Sequence, residues 1–146
     1  MQLTAVRARD SFWKILHHVL LVVFLVTAAL NMLDIHGGFL TNYAADLVVP
    51  AWLYVVTRGL HPDRQQPTIV QKLFGRTPEI AATSLFIAST LTELSQRVWP
   101  NGPFAGRFDI FDIVAYGVGL ASCYAAEKFL YTSPVTVLPD VTTDRT

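Results

Sequence analysis

The residues of this chain that could do chemistry fall in helical stripes. Ser89, Glu93 and Gln96 follow i, i+4, i+7, Asp109, Asp112 and Tyr116 follow i, i+3, i+7, and Asn42 stands four before Asp46. Spacings of this kind put each set on one helix face. Four carboxylates, Asp46, Glu93, Asp109 and Asp112, would then gather with Arg97 and Arg107 as the only cations near them. Full ionisation would leave two negative charges uncompensated where water is scarce. A carboxylate is therefore protonated there, or a cation or cationic ligand visits. The candidate ligand-binding set is Asn42, Asp46, Glu93, Gln96, Arg107, Asp109, Asp112 and Tyr116. No nucleophile with a positioned base accompanies them. The histidines (His17, His18, His36 and His61) lack metal-ligand spacing. The single cysteine, Cys123, has no partner for an intramolecular disulfide.

The elements that must position these groups are long and apolar. The 146 residues are 52% hydrophobic and 15% charged, against roughly 25% charged in a soluble domain. The formal net charge of zero argues against nucleic acid as a partner. Apolar segments cover 15–33, 39–57, 80–98 and 108–130. Each is far longer than the roughly ten residues of a barrel strand and lacks strict alternation, so each is read as a helix. The expectation is an all-α, integral membrane four-helix bundle over 1–132 with a disordered cytoplasmic tail over 133–146.

The basic residues carry the membrane reading. With four spans, nine of the eleven Lys and Arg fall before the first span, in the second connection or in the tail. Only Arg97 and Arg107 fall on the other side. That asymmetry predicts a multi-pass protein of the cell membrane with both termini cytoplasmic. Trp13 and Trp99 lie at opposite predicted interfaces, as an aromatic belt would. The first segment also has the shape of a signal peptide, with 27–29 as a small-residue site, although its apolar stretch is long for one. Residues 59–78 read as a cytoplasmic connection in which Ile69, Val70, Leu73 and Phe74 form the apolar face of a short surface-lying helix, or simply as a loop capping the bundle.

With that orientation the acidic stripes all lie toward the outer side. Glu93 stands six residues before Trp99, about 9 Å deeper along a helix. Charges facing lipid would cost several kcal/mol, so the stripes should face one another inside the bundle. Gly117 with Ala121, and Gly119 with Cys123, are small pairs that let neighbouring helices approach. Two readings of the acids stay open, a ligand site or structural glue between helices. Pro50 reads as a kink, His17 and His18 as wetted side chains, and Tyr54 and Tyr124 as packing.

The stretch 89–119 resembles the signature half of the VanZ-like family of small bacterial membrane proteins. The resemblance rests on Thr92, Glu93, Leu94, Ser95 and Gln96, then on Gly106, Arg107, Phe108, Asp109, Ile110, Phe111 and Asp112, then on Gly119. Where that family carries Asn four residues after the second Asp, this chain has Tyr116, which brings it nearer a sister group with Asp, Ala, Tyr and Gly as at 112, 115, 116 and 119. The resemblance implies a cell-envelope protein, from a family named for glycopeptide resistance. The expectation is an outward-facing carboxylate pocket for a lipid headgroup, an envelope precursor or a glycopeptide-type antibiotic. No cofactor is expected beyond a divalent cation held by the acids, the lipid bilayer is the expected partner, and an oligomer is compatible. The alternatives are a metal-assisted membrane enzyme acting on a lipid phosphate or glycosidic linkage, and a structural subunit of a membrane complex.

Overall fold

The computed structural model describes residues 2–33, 38–60, 68–99 and 108–132, and among them every regular element is helical. The order is α1 (Gln2–Met32), α2 (Phe39–Arg58), α3 (Ile69–Phe74), α4 (Pro78–Val98) and α5 (Ile110–Thr132). Five helices thus stand where four spans were expected, the extra one being the short α3, which the second connection forms in place of the plain capping loop that was its other reading. The expected tail at 133–146 lies outside the described residues.

Local chemistry sets the ends. Thr77 caps α4 by accepting the Ile80 N–H at 3.2 Å, with Pro78 in the first turn, where a missing N–H costs nothing. Asp109 caps α5 through the Phe111 N–H at 2.9 Å. Helix α3 opens with a capping box in which Thr68 and Gln71 exchange backbone and side-chain bonds. Gly59 ends α2 at φ 65, where a Cβ would be strained, and its N–H returns to the carbonyls of Val55 and Val56. Helix α1 begins thirteen residues before the apolar stretch, because the residues ahead of it, such as Ala5, Arg7, Arg9 and Lys14, are good helix formers.

Helix α2 is the centre of the packing, touching α1, α3, α4 and α5, most extensively α5. Helices α2 and α5 run parallel in a steady register: Leu47 lies against Gly119, Ala51 against Cys123, and Tyr54 against Glu127. Gly119 permits this approach, since a Cβ there would overlap the Leu47 carbonyl oxygen. The Cys123 thiol then donates to the Ala51 carbonyl at 3.7 Å. Helix α4 runs antiparallel to α5, with Glu93 near Tyr116 at one end and Glu79 beside Tyr124 and Lys128 at the other. Of the two small pairs, Gly119 and Cys123 face α2, whereas Gly117 and Ala121 line an open groove of about 440 Å³ against α4.

Around an apolar core, many large apolar side chains are left uncovered. Ile15, Val19, Val22, Leu25 and Val26 of α1, Phe86, Ile87 and Leu91 of α4, and Ile110, Val114 and Val118 of α5 are all exposed. Glu93 and Glu127 are buried. Two helices, over Arg7–Met32 and Ile110–Tyr131, are long and apolar enough to cross a membrane. The hydroxyls of Ser84, Thr92 and Ser95 bond carbonyls of their own helix α4, so these polar groups sit in an apolar helix without stranding a donor. Trp13 departs from the expectation of a headgroup-facing belt. It is 1% exposed and packs in the core with Tyr54, Leu120 and Cys123, because α1 extends past it and lays that face on α2. Trp99 is exposed.

The turn after α3 gives a first prediction. A Cβ on Gly75 would overlap the Thr57 carbonyl oxygen, a backbone atom that cannot swing away. Gly75→Ala should therefore lower stability in detergent by about 1–3 kcal/mol, as overpacking does. Thermal denaturation against an exposed control, Thr83→Ala, reads it out.

Candidate functional site

The N-terminal ends of α2 and α5 and the C-terminal end of α4 meet at one end of the bundle, and the acidic stripes meet with them. Glu93, 1% exposed, is the hub. Its Oε1 accepts the backbone N–H of Asp109 at 2.8 Å, which ties the end of α4 to the start of α5. Its Oε2 lies 3.3 Å from the Tyr116 hydroxyl, which also lies 3.4 Å from Asp46 Oδ1 on α2. One hydroxyl hydrogen serves only one of these acceptors at a time. The Tyr43 hydroxyl donates to Asp109 Oδ2 at 2.9 Å. Asp112 follows one turn later on α5, its N–H on the Asp109 carbonyl at 3.2 Å.

The candidates of the sequence analysis are thus placed unequally. Asp46, Glu93, Asp109, Asp112 and Tyr116 come together. Gln96 stands half-buried on α4, three residues beyond Glu93. Asn42 is in the first turn of α2, with its side chain outside the described residues, and Arg107 also lies outside them. The Arg97 guanidinium lies over the Phe108 ring, 5.6 Å from its centroid. Among the described residues no Lys or Arg pairs with these four acids, and no group of three His, Cys, Asp or Glu is placed to hold a metal ion. Tyr43 is a member that sequence reasoning missed. Its spacing of three from Asp46 was the available signal.

A partly open cavity of about 310 Å³ lies between α2 and α4 beside this cluster. Ala45, Val49, Leu53, Leu85 and Ala88 give it apolar walls, and Asp46 and Tyr116 close its polar end. Pro50 also lines it. Having no N–H, Pro50 cannot bond the Asp46 carbonyl one turn back, so that oxygen lacks its helical donor. Helix α2 continues through Pro50 to Arg58. The arrangement suits a guest with an apolar body and a hydrogen-bond-donating or cationic head.

A second polar cluster occupies the opposite end and was not foreseen. Glu127 accepts the Tyr54 hydroxyl at 2.6 Å, and Arg58 reaches both of its carboxylate oxygens through Nε at 3.1 Å and Nη2 at 2.5 Å. Arg58 Nη1 donates to the Gly75 carbonyl. Tyr54 is fully buried and Glu127 nearly so. Tyr54 is therefore a working donor and not packing alone, while Arg58 belongs to a buried ion pair rather than to a solvated loop. The i, i+4 spacing of Tyr54 and Arg58 was a usable signal, but nothing in the sequence aligned it with Glu127, 69 residues beyond Arg58. Nearby, just ahead of the apolar stretch of α4, Lys128 Nζ lies 2.6 Å from Glu79 and holds that carboxyl below the usual range. Both side chains are half-exposed, so this pair contributes little to stability.

Comparison of the chain with family models, with curated proteins and with solved structures finds no match.

Proposed function

We propose that this chain is a multi-pass protein of the cell membrane whose α2–α4 cavity receives a lipid-like amphiphile, head toward Asp46, Glu93 and Tyr116. The observation that carries the reading is that cavity, apolar along its walls and acidic at one end. The uncovered apolar side chains of α1, α4 and α5 support the membrane setting, since in water they would form a large exposed apolar surface. Helices α1, α2, α4 and α5 are the four crossings. The shortest, α2 with 20 residues, is about 30 Å long, the thickness of the hydrocarbon core. The distribution of Lys and Arg supports cytoplasmic termini. A volume of about 310 Å³ suits a headgroup and the start of its chain rather than a whole glycopeptide, so within the VanZ-like resemblance a lipid or lipid-linked envelope precursor is the favoured guest.

Native mass spectrometry of protein extracted from membranes tests this directly. Wild type should carry an amphiphile, and Ala88→Leu, which fills the cavity from its apolar wall, should lose it while melting at the wild-type temperature. Full retention of the guest by Ala88→Leu would remove the cavity from the proposal. Topology is tested separately. Trp99→Cys should label from outside intact cells, and Lys72→Cys only after permeabilisation. The reverse pattern would turn the acidic end to the cytoplasm.

The competing reading is structural, favoured by the chain of hydrogen bonds that ties three helices through Glu93. Glu93→Gln and Asp112→Asn remove charge but keep shape and hydrogen-bonding capacity. A ligand site predicts loss of the bound amphiphile with normal accumulation in at least one of them. Structural glue predicts that stability and accumulation fall together.

A further inference from the structure

Helix α3 leaves its apolar side uncovered: Ile69, Val70, Leu73 and Phe74 are between 47% and 75% exposed, and none of its residues is buried. It is nevertheless held in place. Gln71 Nε2 donates to the Val56 carbonyl at 3.0 Å, and the Gln71 side chain packs on Gly59. Gly75 fits against the Thr57 carbonyl and receives Arg58 Nη1, whose guanidinium is itself anchored by buried Glu127. The polar side of α3 is therefore fixed on the last turn of α2, and the direction of its apolar side is fixed with it. Lys72 and Arg76, both exposed, lie on and just after the helix.

We propose that α3 is a membrane-interface anchor whose apolar side chains dip into the headgroup layer of the cytoplasmic leaflet, with Lys72 and Arg76 against anionic lipid. The inference rests on the membrane reading above and adds a second, separate lipid contact. Three observations select a lipid surface over a protein partner. The helix packs on the end of a crossing, where α2 leaves the hydrocarbon. Its exposed groups are apolar with basic neighbours, the pattern of interfacial helices. Its cations match the negative charge of that leaflet.

The test places a nitrobenzoxadiazole probe on Leu73→Cys, and separately on Ile87→Cys in mid-α4, in the full chain with Cys123→Ala, in phosphatidylglycerol nanodiscs containing spin-labelled lipids. The Leu73 probe should be quenched about twofold or more by lipids labelled near the headgroup, and the Ile87 probe by lipids labelled deep in the chain. Lys72→Gln with Arg76→Gln should reduce Leu73 quenching toward its level in phosphatidylcholine. Quenching at Ile87 with none at Leu73 overturns the anchor and leaves the membrane reading intact. No quenching at either site overturns both. Protection of the Leu73 probe from water without quenching by any lipid would assign the face to a protein and also defeat the proposal.

Discussion

Glu127→Ala is expected to be the most damaging single change in the bundle, costing about 3–5 kcal/mol, because it strands a buried cation. Arg58 is 15% exposed and spends Nε and Nη2 on Glu127, so after truncation it would keep, among the described residues, only the Gly75 carbonyl. Tyr54, fully buried, would lose its acceptor as well. Tyr54→Phe removes one donor and leaves Glu127 with Arg58, so its cost should be about 1–3 kcal/mol. The informative variant combines Arg58→Met and Glu127→Leu with Tyr54→Phe, which removes both charges, fills the space and leaves no buried hydroxyl without its acceptor. It should recover about half of the loss, since an ion pair in an apolar place is often no better than packed hydrocarbon. It should remain short of wild type by about one charged hydrogen bond, 1.5–3 kcal/mol, because the Gly75 carbonyl is no longer served. Reversible unfolding in mixed micelles measures all three. If the combined replacement is as unstable as Glu127→Ala, the cost does not arise from the orphaned charge.

The second large effect is at Gly119. Any side chain there meets the Leu47 carbonyl, and backbone cannot retreat without separating α2 from α5. Gly119→Ala should cost about 1–3 kcal/mol, and Gly119→Leu more. Gly117, two residues away on the same helix, makes the contrast. A Cβ there would sit 3.5 Å from the Phe86 ring, an ordinary contact. Gly117→Ala should stay within about 0.5 kcal/mol of wild type or improve on it, since alanine is the better helix former. Melting temperatures of the two alanine variants, measured side by side, decide the matter. Separation of α2 from α5 should also loosen the contact of Tyr116 with Asp46, which bridges the same pair of helices. If the α2–α4 cavity holds an amphiphile as proposed, Gly119→Ala should therefore weaken its retention, while Gly117→Ala should not.

What the sequence determined by itself is local and periodic. Long apolar runs without alternation require helices, although the starts read from hydropathy, 80 and 108, miss the local caps at Thr77 and Asp109 that set the ends. The spacings of Asp109, Asp112 and Tyr116, and of Glu93 on α4, already implied that acids share faces, since helical periodicity alone fixes a face. Tertiary structure decided which faces meet. Both small pairs on α5 satisfy the same spacing rule, yet Gly119 and Cys123 receive α2 while Gly117 and Ala121 line a groove, and only the α2–α5 register distinguishes them. That register also unites Tyr54 and Arg58 with Glu127, which the sequence presents as an aromatic in a span, a loop charge and a residue at a helix end. Trp13 could not be separated from an interfacial tryptophan by composition, because its burial depends on where α1 lies against α2. Periodicity determines which side chains share a face, but the partner of that face depends on close approach between helices, set here by one glycine far along the chain from the Leu47 backbone it lies against.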